Sequence, residues 1–332
     1  MPSRAAAREA CSDSKTMSSY LVTGGAGFIG SHIAIRLLQE GHRVRVLDNL
    51  STGRTENLDV IRAAASDGRF EWVEGDIRRV ETCEDACRGV EYVLHQAALA
   101  SVQRSIENPG ETTAVNVGGL VNVLSAAQKN GARRVVCASS SSVYGDTPTL
   151  PKHEGMVPAP LSPYAVSKLA GEQFARVFST TLGLETLSLR YFNVFGPRQD
   201  PKSQYAAVVP LFATSLRDSQ RPMIFGDGEQ SRDFTYIDNV VDANLAACSK
   251  GKGDGQAINI ACGERYTLLA LLDNLSRLFG VRAEPQFLPA RAGDVRHSQA
   301  SIQRANDELG FRPRIGFEEG LKRTVEHFRR AP

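Results

Sequence analysis

Short apolar segments alternate with longer helical patterns along most of this chain, and this alternation constrains the fold more than any other feature. The segments are nearly continuous in apolar residues, as expected of strands buried on both faces. They lie at residues 20–23, 44–47, 70–73, 92–95, 134–138, 186–189 and 258–260. Strands that are separated by helices pair in parallel. The sequence therefore predicts an α/β fold with a parallel sheet covered by helices.

A glycine-rich turn follows the first predicted strand. Its glycines are Gly24, Gly27 and Gly30, with Phe28 and Ile29 between the last two. Glycine permits a tight turn and lets the backbone approach a pyrophosphate, which then lies at a helix N-terminus where free N–H groups attract anions. Because this turn is the first strand-to-helix connection, the pattern predicts a Rossmann-type doubly wound sheet that binds a dinucleotide, not a barrel.

Acidic residues after the next two strands predict the rest of this nucleotide site. Asp48 ends the second strand, where a carboxylate accepts hydrogen bonds from the adenosine ribose and repels a 2′-phosphate. With Asn49 beside it, Asp48 favours NAD over NADP, although Arg54 lies near enough in sequence to keep NADP open. Asp76 and Ile77 follow the third strand as candidate adenine contacts, with a simple loop as the other interpretation.

Tyr164 and Lys168 are four residues apart in a predicted helix and therefore share one face. We expect the Lys168 ammonium to lower the pKa of Tyr164 from its usual ~10, which would make the phenol a general base near neutrality. Ser140, in a run of serines at 139–142, is placed to hydrogen-bond the same substrate hydroxyl. A solvated helix face is the alternative for an isolated pair, but together with the glycine turn the three residues predict a hydride-transfer enzyme.

Charge and composition exclude several other functions. The 39 basic and 37 acidic residues are spread along the chain and leave a net charge of +2, which predicts no binding to nucleic acid or an anionic membrane. No apolar run reaches about 18 residues and no signal peptide is visible, so a cytoplasmic location is expected. The 6 cysteines are scattered, which predicts reduced thiols and no metal site.

With these features in place, the chain resembles the extended short-chain dehydrogenase/reductase family, and within it the nucleotide-sugar 4-epimerases. The resemblance runs from about residue 19 to the C-terminus. Besides the glycine turn and the Tyr164/Lys168 pair, its motifs are His95-Gln-Ala-Ala98, Ser139-Ser-Ser-Ser-Val-Tyr-Gly145, Leu189-Arg-Tyr-Phe-Asn-Val-Phe-Gly-Pro197, Arg232-Asp-Phe234 with Tyr236, and Arg291-Ala-Gly-Asp294.

The resemblance implies a role for each of these positions. Ser140, Tyr164 and Lys168 are the implied catalytic residues. Tyr164 and Lys168 are also implied NAD contacts, and Lys168 holds the nicotinamide ribose. Further NAD contacts are implied for Gln96, Ala97 and Ala98. Contacts to a UDP-sugar are implied for Ser140, Ser141, Asn193, Gln199, Ala207, Val208, Arg232, Tyr236, Arg291, Asp294 and Ser298.

Three of these implied substrate contacts have an evident chemical basis. Arg232 and Arg291 are expected to hold the diphosphate, because guanidinium groups bind phosphate oxygens bidentately. Asp294 matches a contact to the uridine ribose, whose hydroxyls a carboxylate accepts in pairs. Asn116 is expected to order the catalytic region without doing chemistry.

The resemblance also implies two interleaved domains. An NAD-binding domain is predicted at 18–190 plus about 233–261, and a nucleotide-sugar domain at about 191–232 plus 262–330, where glycine and proline interrupt the regular alternation. Residues 1–17 are expected to be a disordered extension. A homodimer is expected through the helix that carries Tyr164.

The serine run narrows the reaction. Related dehydratases carry Thr-Asp-Glu beside the catalytic serine, because eliminating water needs an added acid and base, whereas here the run is Ser140-Ser141-Ser142. The resemblance therefore implies reversible oxidation at the sugar C4 with tightly bound NAD. Tyr164 would remove the hydroxyl proton, and hydride would return to the other face of the 4-keto sugar after it turns.

One wall of the expected substrate pocket indicates which sugar the enzyme accepts. In the family, the position of Ser298 is usually tyrosine in epimerases restricted to UDP-glucose and small in those that accept N-acetylated sugars. With Gln199 and Ala207, it implies interconversion of UDP-N-acetylglucosamine and UDP-N-acetylgalactosamine, although Ala100 replaces a glycine of close relatives. The alternatives are a UDP-glucose 4-epimerase, a UDP-glucuronate epimerase or decarboxylase, and a non-catalytic NAD-binding sensor.

Overall fold

The computed structural model describes residues 17–65, 68–201, 207–290 and 295–330. The predicted disordered extension therefore lies, apart from Met17, outside the described residues. The same holds for Arg291 and Asp294, two of the predicted substrate contacts.

Strands and helices follow one another along nearly the whole described chain. The strands are β1 (Ser19–Thr23), β2 (Arg43–Asp48), β3 (Phe70–Glu74), β4 (Tyr92–His95), β5 (Arg134–Ser140), β6 (Glu185–Tyr191), β7 (Val194–Phe195), β8 (Met223–Phe225), β9 (Ser231–Arg232), β10 (Thr235–Tyr236), β11 (Asp254–Ile260), β12 (Tyr266–Thr267) and β13 (Gln286–Leu288). The helices are α1 (Phe28–Gln39), α2 (Thr55–Ala64), α3 (Val80–Cys87), α4 (Val102–Glu107), α5 (Pro109–Thr113), α6 (Leu120–Lys129), α7 (Pro163–Leu182), α8 (Val208–Arg217), α9 (Ile237–Ser249), α10 (Leu268–Phe279), α11 (Gln303–Leu309) and α12 (Phe317–Arg330). A π-helical turn at Ala114–Gly119 joins α5 to α6.

Seven strands form one sheet in the order β11-β6-β5-β4-β1-β2-β3, and every neighbouring pair is parallel. Each of the seven apolar segments predicted from the sequence lies in one of these strands. The predicted Rossmann-type fold, a doubly wound parallel sheet, is confirmed.

Side chains that alternate along the strands fill two separate cores, one on each face of the sheet. In β1, Val22 packs in the core that contains Ile33 of α1, whereas Leu21 packs in the core that contains Leu124 of α6. This two-sided burial explains why the strand sequences are almost uniformly apolar, since both faces of a parallel sheet are covered by helices.

After β6 the chain leaves the large sheet and then returns to it. Three two-stranded pairs form outside the sheet, β7 with β10, β9 with β12, and β8 with β13. Strand β11 then adds to the edge beside β6, in parallel. The return of the chain near Ile258 is thus present, while the division into two interleaved domains stays a prediction.

The strand order reverses between β1 and β4, and ligands of such sheets bind outside the carboxyl ends of the strands at that point. The glycine turn follows β1 and Gln96 follows β4, so both lie at this crevice. Ser140 ends β5, and Asn193 lies just beyond the end of β6. Across the described ranges, the structure contains no helix long and apolar enough to span a bilayer.

Candidate active site

The glycine turn has no room for a side chain at two of its positions. Gly24 has a φ of 68°, and a Cβ there would lie 2.6 Å from the backbone nitrogen of Ala97. A Cβ on Gly30 would collide with the carbonyl oxygen of Gly24. Helix α1 begins at Phe28 after Gly27, and no side chain caps it, so its first N–H groups are available to an anion.

Asp48 is fixed at the end of β2 by the turn itself. Its carboxylate oxygens accept hydrogen bonds from the backbone nitrogens of Ala26 at 3.0 Å and Leu50 at 2.9 Å. Burial raises the pKa of Asp48, and these backbone bonds oppose the rise. Arg54 was the residue that left NADP as a possible cofactor. It is paired with Glu56 at 3.3 Å and is not among the described residues that line the nucleotide cleft.

Asp76 lies across the same cleft from Asp48. A hydrogen bond from Arg78 is the main reason why the pKa of Asp76 falls to about 2, so this carboxylate is ionised at neutral pH. The Asn49 side chain also donates to Asp76, at 3.3 Å. Asp48 and Asp76 therefore line one cleft, while their contacts to adenosine stay predictions.

One cleft at the switch point brings together all the predicted cofactor residues other than Tyr164 and Lys168. The predicted residues that line it are Gly24, Gly27, Phe28, Ile29, Gly30, Asp48, Asn49, Asp76, Ile77, Gln96, Ala97 and Ala98. Ser51, Thr52 and Glu111 line it as well and were missed, because their segments carry no nucleotide motif. The residues present fit NAD, and their individual roles stay predictions.

Ser140 and Tyr164 line a second cleft that adjoins the first. Ser140 Oγ accepts a hydrogen bond from the Ser142 backbone nitrogen at 3.2 Å, and the two hydroxyl oxygens are 3.0 Å apart. Ser162 caps α7 by accepting from the Ala165 nitrogen at 3.2 Å, which fixes the turn that carries Tyr164. Strand end and helix start thus place both hydroxyls in one cleft.

Lys168 is buried one turn after Tyr164. Its Nζ donates to the Ala138 carbonyl oxygen at 2.9 Å and lies 5.9 Å from the centre of the Tyr164 ring. Burial lowers the pKa of Lys168 to about 8. Burial also raises the pKa of Tyr164, although a hydrogen bond with Ser140 lowers it.

The expectation that Lys168 lowers the pKa of Tyr164 is therefore wrong, because burial raises this pKa. The spacing correctly places both side chains on one face of α7, but spacing carries no information on burial. Loss of water around the phenol disfavours its anion, and this cost is the largest influence on Tyr164.

The second cleft is built from segments that are far apart in the chain. The predicted substrate residues that line it are Ser140, Ser141, Asn193, Gln199, Ala207, Arg232 and Ser298. Phe28, Ile29 and Ala100 line both clefts, so the two spaces meet there. The structure thus gathers most of the predicted substrate contacts around the catalytic hydroxyls, while their contacts to a sugar stay predictions.

Among the described residues, two predicted substrate contacts, Tyr236 and Val208, do not line this cleft. The buried ring of Tyr236 packs against Phe195, with ring centres 5.7 Å apart, and lies beneath Gly320 of α12. Val208 opens α8 and packs against the large core. Their assignment came from the resemblance, and the aromatic and aliphatic character of both side chains suits the packing that the structure shows.

Lys152 and His297 also line the second cleft, which we call the sugar cleft, and the sequence analysis did not predict them. The Lys152 ammonium donates to the carbonyl and hydroxyl oxygens of Thr147, which holds it inside its own loop. His297 Nδ1 lies 2.8 Å from Ser231 Oγ, beside Arg232. Both residues lie in loops that only the tertiary fold brings to the cleft, so no local pattern indicates them.

Asp233 joins the segments that form the far wall of the cleft. Its buried carboxylate accepts hydrogen bonds from the backbone nitrogens of Cys262 at 2.9 Å, Gly263 at 3.0 Å and Ala300 at 3.1 Å. Burial raises the pKa of Asp233 to about 7, against the effect of these three bonds. The carboxylate ties the strand that carries Arg232 to the segment that carries Ser298.

Possible metal ligands do not cluster among the described residues. Among the described residues, no group of three or more histidine, cysteine, aspartate and glutamate side chains is suited to hold a metal ion. The five described cysteines are free thiols. Burial is the main cause that raises the pKa of each to about 12, so the thiols are neutral.

A dinucleotide cleft at the switch point that opens beside Ser140, Tyr164 and Lys168 defines a nucleotide-dependent enzyme that moves hydride and protons. Comparison with known proteins agrees with this class. A model of the NAD dependent epimerase/dehydratase family matches residues 20–261, and the chain belongs to that family.

Relatives match the chain over nearly its full length. A UDP-glucose 4-epimerase of Mycolicibacterium smegmatis is 41% identical over 93% of this chain and 98% of its own. The crystal structure of a UDP-glucose 4-epimerase from Thermotoga maritima superposes with a TM-score of 0.88 at 39% identity, covering 94% of this chain and 98% of that one.

A UDP-N-acetylglucosamine 4-epimerase from Methanobrevibacter ruminantium superposes equally well, with a TM-score of 0.88 at 37% identity and with 94% and 98% of the two chains covered. Epimerases named for different sugars are thus equally similar in fold. The predicted enzyme class, an NAD-dependent nucleotide-sugar epimerase, and NAD as its cofactor are confirmed.

Proposed function

We propose that this enzyme interconverts UDP-N-acetylglucosamine and UDP-N-acetylgalactosamine by epimerisation at C4. The observation that carries this proposal is Ser298, a small and almost completely buried residue in the wall of the sugar cleft. Ala207 is another small residue of that cleft on which the argument depends. A wall of such side chains leaves room for an N-acetyl group when the sugar turns.

Arg232 is suited to hold the diphosphate at one end of the cleft. Its Nη1 donates to the carbonyl oxygens of Ser231 at 3.0 Å and Arg296 at 3.2 Å, which fixes the direction of the side chain. A guanidinium group binds phosphate oxygens bidentately through its planar set of N–H donors. Anchoring the nucleotide here leaves the hexose near Ser140 and Tyr164, which line the same cleft.

Proton transfer at C4 falls to Tyr164 and Ser140. In the proposed reaction the Tyr164 phenolate takes the proton of the C4 hydroxyl, and Ser140 orients that hydroxyl by a hydrogen bond. When bound, the nicotinamide supplies the hydride acceptor and donor and a positive charge that favours the phenolate. Lys168 is buried beside Tyr164, with its Nζ 5.9 Å from the centre of the Tyr164 ring, and in the proposed reaction it holds the nicotinamide ribose.

The 4-keto sugar must then present its other face to the hydride donor. Asn193 lies in this part of the cleft with a φ of 29°, and its side chain donates to the Asp233 carbonyl oxygen at 3.2 Å. The rotation of the 4-keto sugar is restricted only by the side chains of the cleft wall, because the anchored diphosphate does not have to move. Reprotonation by Tyr164 completes the cycle and restores the starting state of the enzyme.

UDP-glucose 4-epimerisation is the second candidate. It is favoured by the names of the Mycolicibacterium and Thermotoga relatives. The Ala100 methyl group also lies at the junction of the two clefts and takes up space there. A UDP-glucuronate reaction has less support, because the Lys152 ammonium in this cleft already donates twice to Thr147.

A substrate panel tests the proposal. Purified enzyme is given UDP-N-acetylglucosamine, UDP-glucose and UDP-glucuronate separately, products are separated by chromatography, and the cofactor released on denaturation is identified. We expect the highest kcat/KM with the N-acetylated sugar and NAD as the released cofactor. Equal or faster turnover of UDP-glucose would replace the proposal by the second candidate.

A homodimer through α7 is part of the same proposal. Val166, Phe174 and Val177 on this helix are between 40% and 53% exposed, which is unusual for large apolar residues on one helix face. A second copy of the chain that packs the same face against this one would cover them. Light scattering is expected to give twice the monomer mass for the wild type and the monomer mass for Phe174→Glu.

A further inference from the structure

Glu172 lies in the same row of α7 as the two catalytic residues of that helix. It follows Lys168 by four residues and Tyr164 by eight, so the three side chains share one face. Lys168 and Glu172 line the same small internal cavity with His95 and Asn116. Glu172 is buried and takes no part in the proton transfers described above.

The Glu172 carboxylate joins α7 to two neighbouring strands. It accepts from Arg190 of β6 through Nε at 2.8 Å and Nη2 at 2.6 Å, and from the Ser139 hydroxyl of β5 at 2.5 Å. Ser139 and Arg190 are directly paired across the two strands, and the next pair is Ser140 with Tyr191. One carboxylate therefore holds the strand end that carries Ser140 against the helix that carries Tyr164.

Arg190 is itself held on its other side. Its Nη1 donates to the Tyr144 hydroxyl at 2.8 Å, its guanidinium carbon lies 4.8 Å from the centre of the Tyr144 ring, and that hydroxyl donates to Asn259 Oδ1 at 2.7 Å. The side chains of Arg190 and Glu172 are only 5% and 4% exposed. A doubly hydrogen-bonded pair without water has one well-defined geometry.

We propose that Glu172, held by Arg190, is a positioning residue that keeps Ser140 and Tyr164 at the distance needed for proton transfer at C4. The proposal rests on the proposed epimerase function. A displacement of about 1 Å between reacting groups costs about 100-fold in rate, which is why a clamp next to Ser140 matters for catalysis and not only for stability.

Glu172 also acts on Lys168 through charge. The titratable groups that face Lys168 are Tyr164, Cys137, His95 and Glu172. Burial lowers the pKa of His95 and raises the pKa of Cys137 and of Tyr164. Cys137 and the Glu172 carboxylate both oppose the lowering of the Lys168 pKa by burial. Without this carboxylate, Arg190 would be an unpaired positive charge nearby.

The Glu172→Gln variant tests the proposal. We expect kcat to fall about 100-fold while KM for the UDP-sugar changes little, because the substrate anchor is elsewhere. We also expect the alkaline limb of the kcat–pH profile to move to lower pH, since Lys168 loses a negative neighbour. Bound NAD is measured after denaturation to show that the nucleotide cleft is intact.

Arg134 and Glu185 provide a matched control on the same two strands. They are paired across β5 and β6 at the opposite ends of the strands, with Arg134 Nε donating to Glu185 Oε2 at 2.7 Å. Arg134→Met removes an ion pair and buried hydrogen bonds away from both clefts. We expect it to lower the unfolding temperature but to leave kcat per folded enzyme and the pH profile unchanged.

Ser139→Ala is the second variant, because it keeps both buried charges and should fold even if Glu172→Gln does not. It is expected to lower kcat several-fold without moving the pH limb. The proposal is overturned if both Glu172→Gln and Ser139→Ala retain wild-type kcat, or if Arg134→Met loses as much kcat as they do. A wild type that turns over no nucleotide sugar overturns the proposed function, and this inference with it.

Discussion

The nucleotide cleft and the sugar cleft adjoin, yet they are built in different ways. The nucleotide cleft is made by turns that directly follow consecutive strands, and its fit depends on backbone, as at Gly24 and Gly30. The sugar cleft is made by side chains from loops that lie far apart in the chain, from Phe28 to Ser298. Backbone geometry is thus tied to the sheet, whereas the side chains of the sugar cleft can vary independently of one another.

This difference accounts for the pattern among relatives. Proteins named for UDP-glucose and for UDP-N-acetylglucosamine superpose with the same TM-score of 0.88 on this chain. A fold-level likeness therefore carries the cofactor and the reaction type but not the sugar, as expected when function lies in sites on a common fold. The predictions below separate the two clefts experimentally.

The largest effect is expected for Tyr164→Phe. Removing the hydroxyl that exchanges the C4 proton should lower kcat about 1000-fold, within the range for a lost general base. Bound NAD and the unfolding temperature should stay close to the wild type, because the phenol oxygen lies in the sugar cleft. The measurements are kcat, cofactor content and thermal unfolding. Activity near that of the wild type would remove Tyr164 from the mechanism.

Gly30→Ala should disrupt the nucleotide cleft. The added methyl group meets the Gly24 carbonyl oxygen, so the turn must shift, and overpacking of this kind costs about 1–3 kcal/mol. We expect NAD affinity to fall about 10- to 100-fold, measured by fluorescence titration after cofactor removal. Gly118→Ala is the control, since a Cβ there meets no atom within 4 Å. Equal losses in both variants would count against a specific role of the turn.

Ser298→Tyr should change which UDP-sugar the enzyme prefers and leave NAD binding unchanged. Because Ser298 is nearly buried in the cleft wall, a large ring there must project into the space for the C2 substituent. We expect kcat/KM for UDP-N-acetylglucosamine to fall about 10- to 100-fold and that for UDP-glucose to fall much less. Ser298→Ala serves as the size-matched control and should keep both activities. Loss of both activities in Ser298→Tyr with a normal NAD content would show that the wall is not selective.

The smallest effect is expected at His95, which ends β4 and lines the small internal cavity with Lys168. His95 is buried with its Nδ1 at 2.8 Å from Thr23 Oγ1, and burial lowers its pKa from 6.5 to about 3. The unfolded chain therefore binds one more proton than the folded protein between these values. Stability is retained above the unfolded pKa and lost as the pH falls below it.

The slope that this one group contributes is at most about 1.4 kcal/mol per pH unit. His95→Gln should flatten the dependence of the unfolding free energy on pH between about pH 5 and pH 6.5 by that amount. Urea unfolding at several pH values measures the slope for the variant and for the wild type, and identical slopes would exclude this contribution.

The same contrast explains what the sequence could predict. The seven strands and the nucleotide turn depend on local patterns, apolar segments and glycine spacing, and the structure contains all of them. Most predicted substrate residues also lie in one cleft, but that prediction came from family motifs. Tyr236 shows the limit of such motifs, because it belongs to a motif but its ring packs in the core.

Burial is the quantity that the sequence could not supply. It reversed the expected direction of the Tyr164 pKa shift, and it separates Glu172 from the many glutamates that share a helix face with a lysine. Lys152 and His297 reach the sugar cleft only because distant segments meet there. Contacts of this kind have no periodicity within the chain that could reveal them in advance.

The late return of the chain to the sheet has a consequence during synthesis. Strand β6 is complete at Tyr191, but its partner β11 ends only at Ile260, after the intervening excursion. Until then, a nascent chain on the ribosome exposes an unpaired, apolar strand edge, and such edges are sites of aggregation. We expect the chain to be most prone to aggregation during this interval of translation.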